Sequence, residues 1–155
     1  MGLNHNFLYL NSDKYSDEIY KKIHYNPLRI GDNIILEVDH VNIQDDIIVY
    51  FFDYFMWLKL YNPCTKKYVD GLCYHGVTTI FNDTLVQLKR IINGLLIVFS
   101  NAPNMIKLRG SYIISDNYYE KIYIEKEKMM KKFNKLNNLI EKAIDESGYI
   151  LHLGI

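Results

Sequence analysis

The chain has 155 residues, 49% hydrophobic and 23% charged; that length and apolar content suit a single globular domain over 1–155 and argue against a disordered chain. Eighteen basic and 18 acidic residues give a formal net charge of zero, which argues against a general nucleic-acid binder, normally a clearly basic protein. The balance is uneven, because residues 1–77 hold 10 acids and 7 bases (net −3) and residues 78–155 hold 8 acids and 11 bases (net +3).

The N-terminal stretch has no basic region followed by a long apolar run, so no signal peptide is expected. Met1-Gly2 opens a myristoylation-like pattern, but position 6 is Asn6 rather than Ser or Thr. Ser16 to His24 is expected to form a short helix with Ile19 and Ile23 on one face, stopped by Asn26-Pro27. Ile34 to Val41 alternates as a strand should, with Ile34, Leu36 and Val38 opposite Glu37 and Asp39. Gly31-Asp32-Asn33 and Gln44-Asp45-Asp46 are expected to be the turns around it. The most apolar run, Ile47 to Leu60, contains Asp53 and Lys59 and is too short to span a bilayer. A cytoplasmic location with reduced thiols is the expectation.

The stretch Ile47 to Tyr61 is rich in β-branched and aromatic residues and reads as a strand bulged near Asp53. Its aromatic run, Tyr50 to Trp57, is large for one core, and an exposed remainder would mark an interface. Asp70-Gly71 reads as a hairpin turn between Lys67–Val69 and Leu72–Tyr74. Pro63 and Pro103 are expected in loops. Asn82 to Phe99 carries Leu85, Leu88, Ile92, Leu95 and Phe99 at spacings of 3, 4, 3 and 4, the stripe of an amphipathic helix. Thr84-x-x-Gln87 suggests a capping box, with Asn82 an alternative cap. Gly94 suggests a close helix–sheet contact. Met105 to Ile114 alternates as a strand. A last helix is expected from between Tyr119 and Ile124 to Glu146, with Met129, Phe133, Leu136, Ile140 and Ala143 as its stripe. Gly148 suits a left-handed C-cap, and Tyr149 to Ile155 reads as a final strand. Two helices (about 82–99 and 120–146), each apolar on one side only, need a sheet to cover. The expected fold is therefore α+β, a mixed or antiparallel sheet with both helices on one face.

Candidate chemistry is sparse. Cys64, Cys73 and His75 do not have the tight Cys-x(2–4)-Cys spacing of a structural zinc site. Cys73 and His75 would share a strand face, and a small Cys/His hydrolase built on them is the enzymatic alternative, although no base-orienting third group is evident. No glycine-rich phosphate loop is present. The pairs Asp45-Asp46 and Asp17-Glu18 suit solvated turns or helix starts. Lys126, Lys128, Lys131, Lys132 and Lys135 are interrupted by Glu125 and Glu127, a pattern that suits an exposed helix face. The acids Asp13, Asp17, Glu18, Glu37, Asp39, Asp45 and Asp46, if they share one surface, would attract a basic protein partner. No metal, cofactor, membrane or direct nucleic-acid contact is expected, and a homo-oligomeric structural or regulatory protein is a further alternative.

Tyr74-His75-Gly76-Val77-Thr78-Thr79-Ile80, followed by the Leu85–Phe99 helix, resembles a strand-into-helix element of the immunity proteins that accompany bacterial polymorphic toxins, including contact-dependent growth inhibition systems. The run Ile106-Lys107-Leu108-Arg109-Gly110-Ser111-Tyr112 is similar to another. The resemblance is one of type, covers about half of the chain and has no signature motif. It implies a non-enzymatic inhibitor that binds one cognate toxin domain, often a nuclease, by occluding its active site. Covering the basic cleft of a nuclease would give the acidic half a purpose.

Overall fold

The computed structural model describes residues 3–11 and 38–155. The expected helix Ser16–His24, the turn Gly31-Asp32-Asn33, the start of the Ile34–Val41 strand and the acids Asp13, Asp17, Glu18 and Glu37 lie outside them. Within the described residues the chain is α+β, with every paired strand antiparallel. In chain order the elements are β1 (Asn4–Leu10), β2 (His40–Gln44), α1 (Asp45–Tyr50), α2 (Phe52–Phe55), β3 (Lys59–Asn62), β4 (Lys67–Asp70), β5 (Val77–Ile80), α3 (Asp83–Ser100), β6 (Met105–Ile113), β7 (Tyr118–Glu125), α4 (Lys126–Asp145) and β8 (Tyr149–Leu153).

Six strands form one sheet in the order β2-β1-β8-β5-β3-β4, and β6 and β7 form a separate two-stranded ribbon. The sheet centre joins segments far apart in sequence: Leu8 pairs with Leu151 and Thr79 with Leu151 on the other side. Alternation along β1 and β8 sends Phe7, Tyr9 and Ile150 to one face and Leu8, Leu10, Leu151 and Leu153 to the other. The first face meets both long helices. All five residues of each predicted stripe are buried there: Leu85, Leu88, Ile92, Leu95 and Phe99 on α3, and Met129, Phe133, Leu136, Ile140 and Ala143 on α4. A salt bridge from Lys89 to Glu141 (2.9 Å) and a hydrogen bond from Asn137 to Asn93 (2.9 Å) tie α3 to α4. The second face carries its own cluster, with Val77, Tyr149, Val38 and Phe81.

Several local expectations are corrected. Asp45 and Asp46 do not form a turn; they occupy the first turn of α1, where carboxylates complement the helix dipole. The run Ile47–Tyr61 is mostly helical. Ile47, Phe51 and Phe55 recur every four residues and are buried, and this helical period outweighs the strand propensity of the side chains. Only its end, from Lys59, is strand. The hairpin partner of Lys67–Asp70 is Lys59–Asn62, joined through the turn at Pro63. Gly71, at φ +75°, turns the chain out of β4, and Leu72–Tyr74 is irregular. Residues Tyr118–Glu125 form a strand paired with β6, so the last helix starts at Lys126. No capping box forms: the Thr84 hydroxyl donates to the Phe81 carbonyl (2.6 Å) and accepts from the Phe81 N–H. The left-handed residue after α4 is Ser147, φ 55°. Gly148 serves a close approach instead, since a Cβ there would lie 2.7 Å from the Leu10 carbonyl oxygen. Gly94 makes no close sheet contact, for a Cβ there would meet no atom within 4 Å.

Candidate functional site

Two constellations stand out, one buried and one exposed. The buried one begins with His5 on β1 and His152 on β8, both wholly withdrawn from solvent. The pairing of Phe7 with His152 sets the two imidazoles on the helix-covered face, stacked with ring centroids 5.1 Å apart. His5 Nδ1 lies 2.9 Å from His152 Nε2, and His5 Nε2 lies 2.9 Å from Asp45 Oδ1 at the start of α1. The Tyr74 hydroxyl donates to Asp45 Oδ2 (2.8 Å). With both rings neutral, one proton arrangement uses every bond: His5 Nε2–H donates to Asp45, and His152 Nε2–H donates to His5 Nδ1. His152 Nδ1 is then a bare acceptor, and it has no hydrogen-bond partner.

Burial disfavours charge on both rings. Desolvation lowers the pKa of His5, against the opposing pull of Asp45. Desolvation, with the charge of His5 second, pushes His152 well below 6.5. Burial and then the bond to Asp45 raise the Tyr74 phenol to about 12. Asp45, its side chain 19% exposed, and the half-buried Tyr74 are the members that reach water. The arrangement resembles a proton relay in outline, but its imidazoles cannot touch a substrate. Its effect is to pin α1 and the Tyr74 loop to the sheet centre.

The exposed constellation is built by α1, α2, α3 and the β6–β7 ribbon. The aromatic run divides by helical period: Phe51 and Phe55 enter the core, while Tyr50, Tyr54, Met56 and Trp57 stay outside. Trp57 is 71% exposed and stands edge-to-face on Tyr54, ring centroids 5.3 Å apart. These rings form one wall of a groove of about 780 Å³, with Gly94, Leu95 and Val98 of α3 and Ile106 and Leu108 of β6 opposite. Gly94 keeps that wall flat. A second depression, about 910 Å³, runs on along the ribbon past Tyr118 and Tyr119, and a third, about 410 Å³, reaches Asp45, Asp46 and Tyr74. Tyr50, 49% exposed, lines all three. Arg90, Lys107, Arg109 and Lys121 supply positive charge around the first two, against Glu120. Arg109 lies over the Tyr119 ring at 4.8 Å.

The acids expected to meet a partner are only partly gathered. Asp45 and Asp46 border the Tyr50 surface. Asp39 precedes the opposite end of β2, about 20 Å away at strand rise. Its carboxylate bonds Lys142 (2.6 Å), and that bond, followed by the nearby lysine charges, lowers its pKa. Cys73 and His75 do not share a strand face. The Asn62 amide donates to Cys73 Sγ (3.3 Å), whereas His75 Nδ1 lies 3.2 Å from the Ile155 carbonyl oxygen. Cys64 is exposed, and partial burial of its thiol, followed by the neighbouring Cys73, raises its pKa above the ordinary value. Among the described residues no group of three His, Cys, Asp or Glu side chains is placed to hold a metal ion, and no helix is long and apolar enough to cross a membrane.

Sequence reading missed the histidine pair, because 147 residues separate its members and no local motif marks either. It also missed the part played by Tyr118 and Tyr119, the second of which lay at the expected start of the last helix. Comparison with protein-family models, with curated proteins and with solved structures gives no match.

Proposed function

We propose that this chain is a non-catalytic protein-binding module of the immunity-protein type, whose ligand is a cognate toxin domain. The observation that carries the reading is the Tyr50-centred surface. Exposed Trp, Tyr and Arg side chains around a continuous groove have the composition of interface anchors. A rim of Arg90, Lys107, Arg109 and Lys121 complements a partner segment that places apolar side chains in the groove and carboxylates at its edge. Asp45 and Asp46 at the far end give the surface a second sign, so a partner covering all of it would present a basic group there. The reading keeps the inhibitory role implied by the resemblance and centres the contact on the aromatic surface instead of on the acids alone.

Co-expression with the product of the adjacent gene tests this. A toxin domain that forms a stoichiometric complex supports it, and Tyr50→Ala or Trp57→Ala should each weaken that complex by about 30-fold, the scale of an interface hot spot. A neighbour that is neither toxic nor bound, or a complex indifferent to both substitutions, rejects it. Self-association abolished by the same substitutions would transfer the surface to a second copy of the chain and likewise reject it.

A further inference from the structure

A second charged feature lies on different elements from the aromatic groove. Lys128, Lys131, Lys132 and Lys135 recur at i, i+3, i+4 and i+7 along α4, which places them on one helical face. Of the interrupting acids seen in the sequence, Glu125 bonds Lys128, and neither it nor Glu127 is among the residues lining the groove beside them. Together with His40 and Asn42 of the strand β2 the four lysines line a depression of about 280 Å³ that, among the described residues, no carboxylate lines.

Like charges at this spacing repel, and the described residues offset them only in part. Glu125 bonds Lys128 (2.8 Å), and Asp39, bonded to Lys142, also acts electrostatically on Lys135. Lys131 and Lys135 have no hydrogen bond or ion pair among the described residues. Among the described residues Lys132 donates only to the neutral Asn42 Oδ1 (3.0 Å), and burial lowers its pKa. It is a partly buried cation with no carboxylate beside it among the described residues. Asn42, which also lines the depression, offers one donor besides the ammonium groups. The Asn42 oxygen is engaged by Lys132, which leaves the amide N–H2. His40 Nδ1–H donates to the Val38 carbonyl oxygen (3.0 Å), so on the neutral ring Nε2 is an acceptor and adds no donor.

We infer that this groove binds a ligand carrying closely spaced phosphate groups. Several ammonium point charges around a small concavity match an oxyanion with many acceptor oxygens and more than one charge. A single carboxylate would engage one lysine and leave the rest uncompensated. The phosphates could belong to a free polyphosphate or nucleotide, or to the backbone of a single nucleic-acid strand.

Calorimetric titration at low salt with sodium tripolyphosphate, and separately with a ten-nucleotide single strand, tests the inference. Saturable binding of tripolyphosphate is expected. Lys131→Gln/Lys135→Gln should lower its affinity at least tenfold and, for the strand, reduce the slope of log K against log salt by about 1.4, about 0.7 for each phosphate contact removed. Lys59→Gln, a charge removal on β3, should leave binding within twofold. Tighter binding of the strand than of tripolyphosphate identifies a backbone as the source, and the reverse order identifies a small polyphosphate. No saturable binding of either, or binding that the double substitution leaves within twofold, overturns the inference. The substituted side chains make no contact on which the core depends, and a melting curve matching that of the parent verifies that the fold is intact.

Discussion

At the scale of single residues, the His5–His152 pair sets how the protein responds to acid. Its stability contribution has a definite sign. In the unfolded chain each imidazole takes up a proton near pH 6.5, whereas burial keeps both rings neutral to lower pH in the fold. Between those limits the unfolded state binds more protons, so stability rises with pH in that window. The contribution is fully present above about pH 6.5 and is lost as pH falls through the folded-state values. Denaturation midpoints measured from pH 7.5 down to pH 5 should therefore drop, and the drop should begin near pH 6.5. His152→Leu removes the ring with the larger shift and should flatten the profile over the same range; an unchanged slope in that variant would sink the assignment. The hydroxyl of Tyr9 belongs to the same scale. It bonds Glu146 beyond the end of α4, and burial, followed by that bond, raises its pKa to about 12. It therefore remains a donor across any pH at which the histidines matter.

At the scale of elements, the β6–β7 ribbon is two structures end to end. Its base sends Ile106, Leu108 and Ile124 into the main core. Its tip carries Tyr112, Ile114, Tyr118 and Tyr119 into solvent, with Ile114 85% exposed. A two-stranded ribbon holds itself together only marginally, so the tip contributes surface instead of stability. Arg109 pairs with Lys121, and an Asn-Gly turn can close that pair directly. Replacing residues 110–120 by Asn-Gly should change unfolding free energy by less than about 1 kcal/mol, within the range of surface changes that touch no core contact. A loss beyond about 3 kcal/mol in a urea melt would show that the tip is structural. The ribbon also shows where sequence reading stops. β6 was legible because half of it faces a core and alternates. Tyr118 to Glu125 was not, because only Ile122 and Ile124 at its end turn toward the core, and the exposed Tyr118–Lys121 has no apolar period to distinguish it from the start of the helix that follows. In Ile47–Tyr61 the reverse happened. The four-residue spacing of Ile47, Phe51 and Phe55 was present, but β-branched and aromatic side chains obscured it. The aromatic half of the candidate site was legible as an excess over what one core can hold; which rings would be left outside depended on that helical phase.

At the scale of the whole molecule, β8 is the joint. Both long helices were readable from their stripes, and β8 itself from its apolar run, yet its place in the sheet was not. A central strand is apolar on both faces and so has no alternation to set its orientation, and its partners are β1, about 140 residues upstream, and β5. β1 escaped notice for the same reason. In the described sheet β8 is the sole ladder between the β2-β1 pair and the β5-β3-β4 group, and all five of its residues are buried. Removing residues 149–155 therefore deletes fewer residues than the ribbon replacement affects, yet should have the opposite outcome. It separates the sheet into two parts and uncovers Phe7, Leu8 and Ile80, so the truncated chain should show no cooperative unfolding transition in urea. Ile150→Ala tests the same joint without cutting it, and should cost roughly 2–5 kcal/mol, as for other fully buried aliphatic side chains. Because this pairing must form across nearly the whole chain, refolding should take milliseconds to seconds, as for other folds dominated by non-local contacts. A truncated chain that still melts cooperatively would show that the helices and the ribbon hold the fold without the central strand.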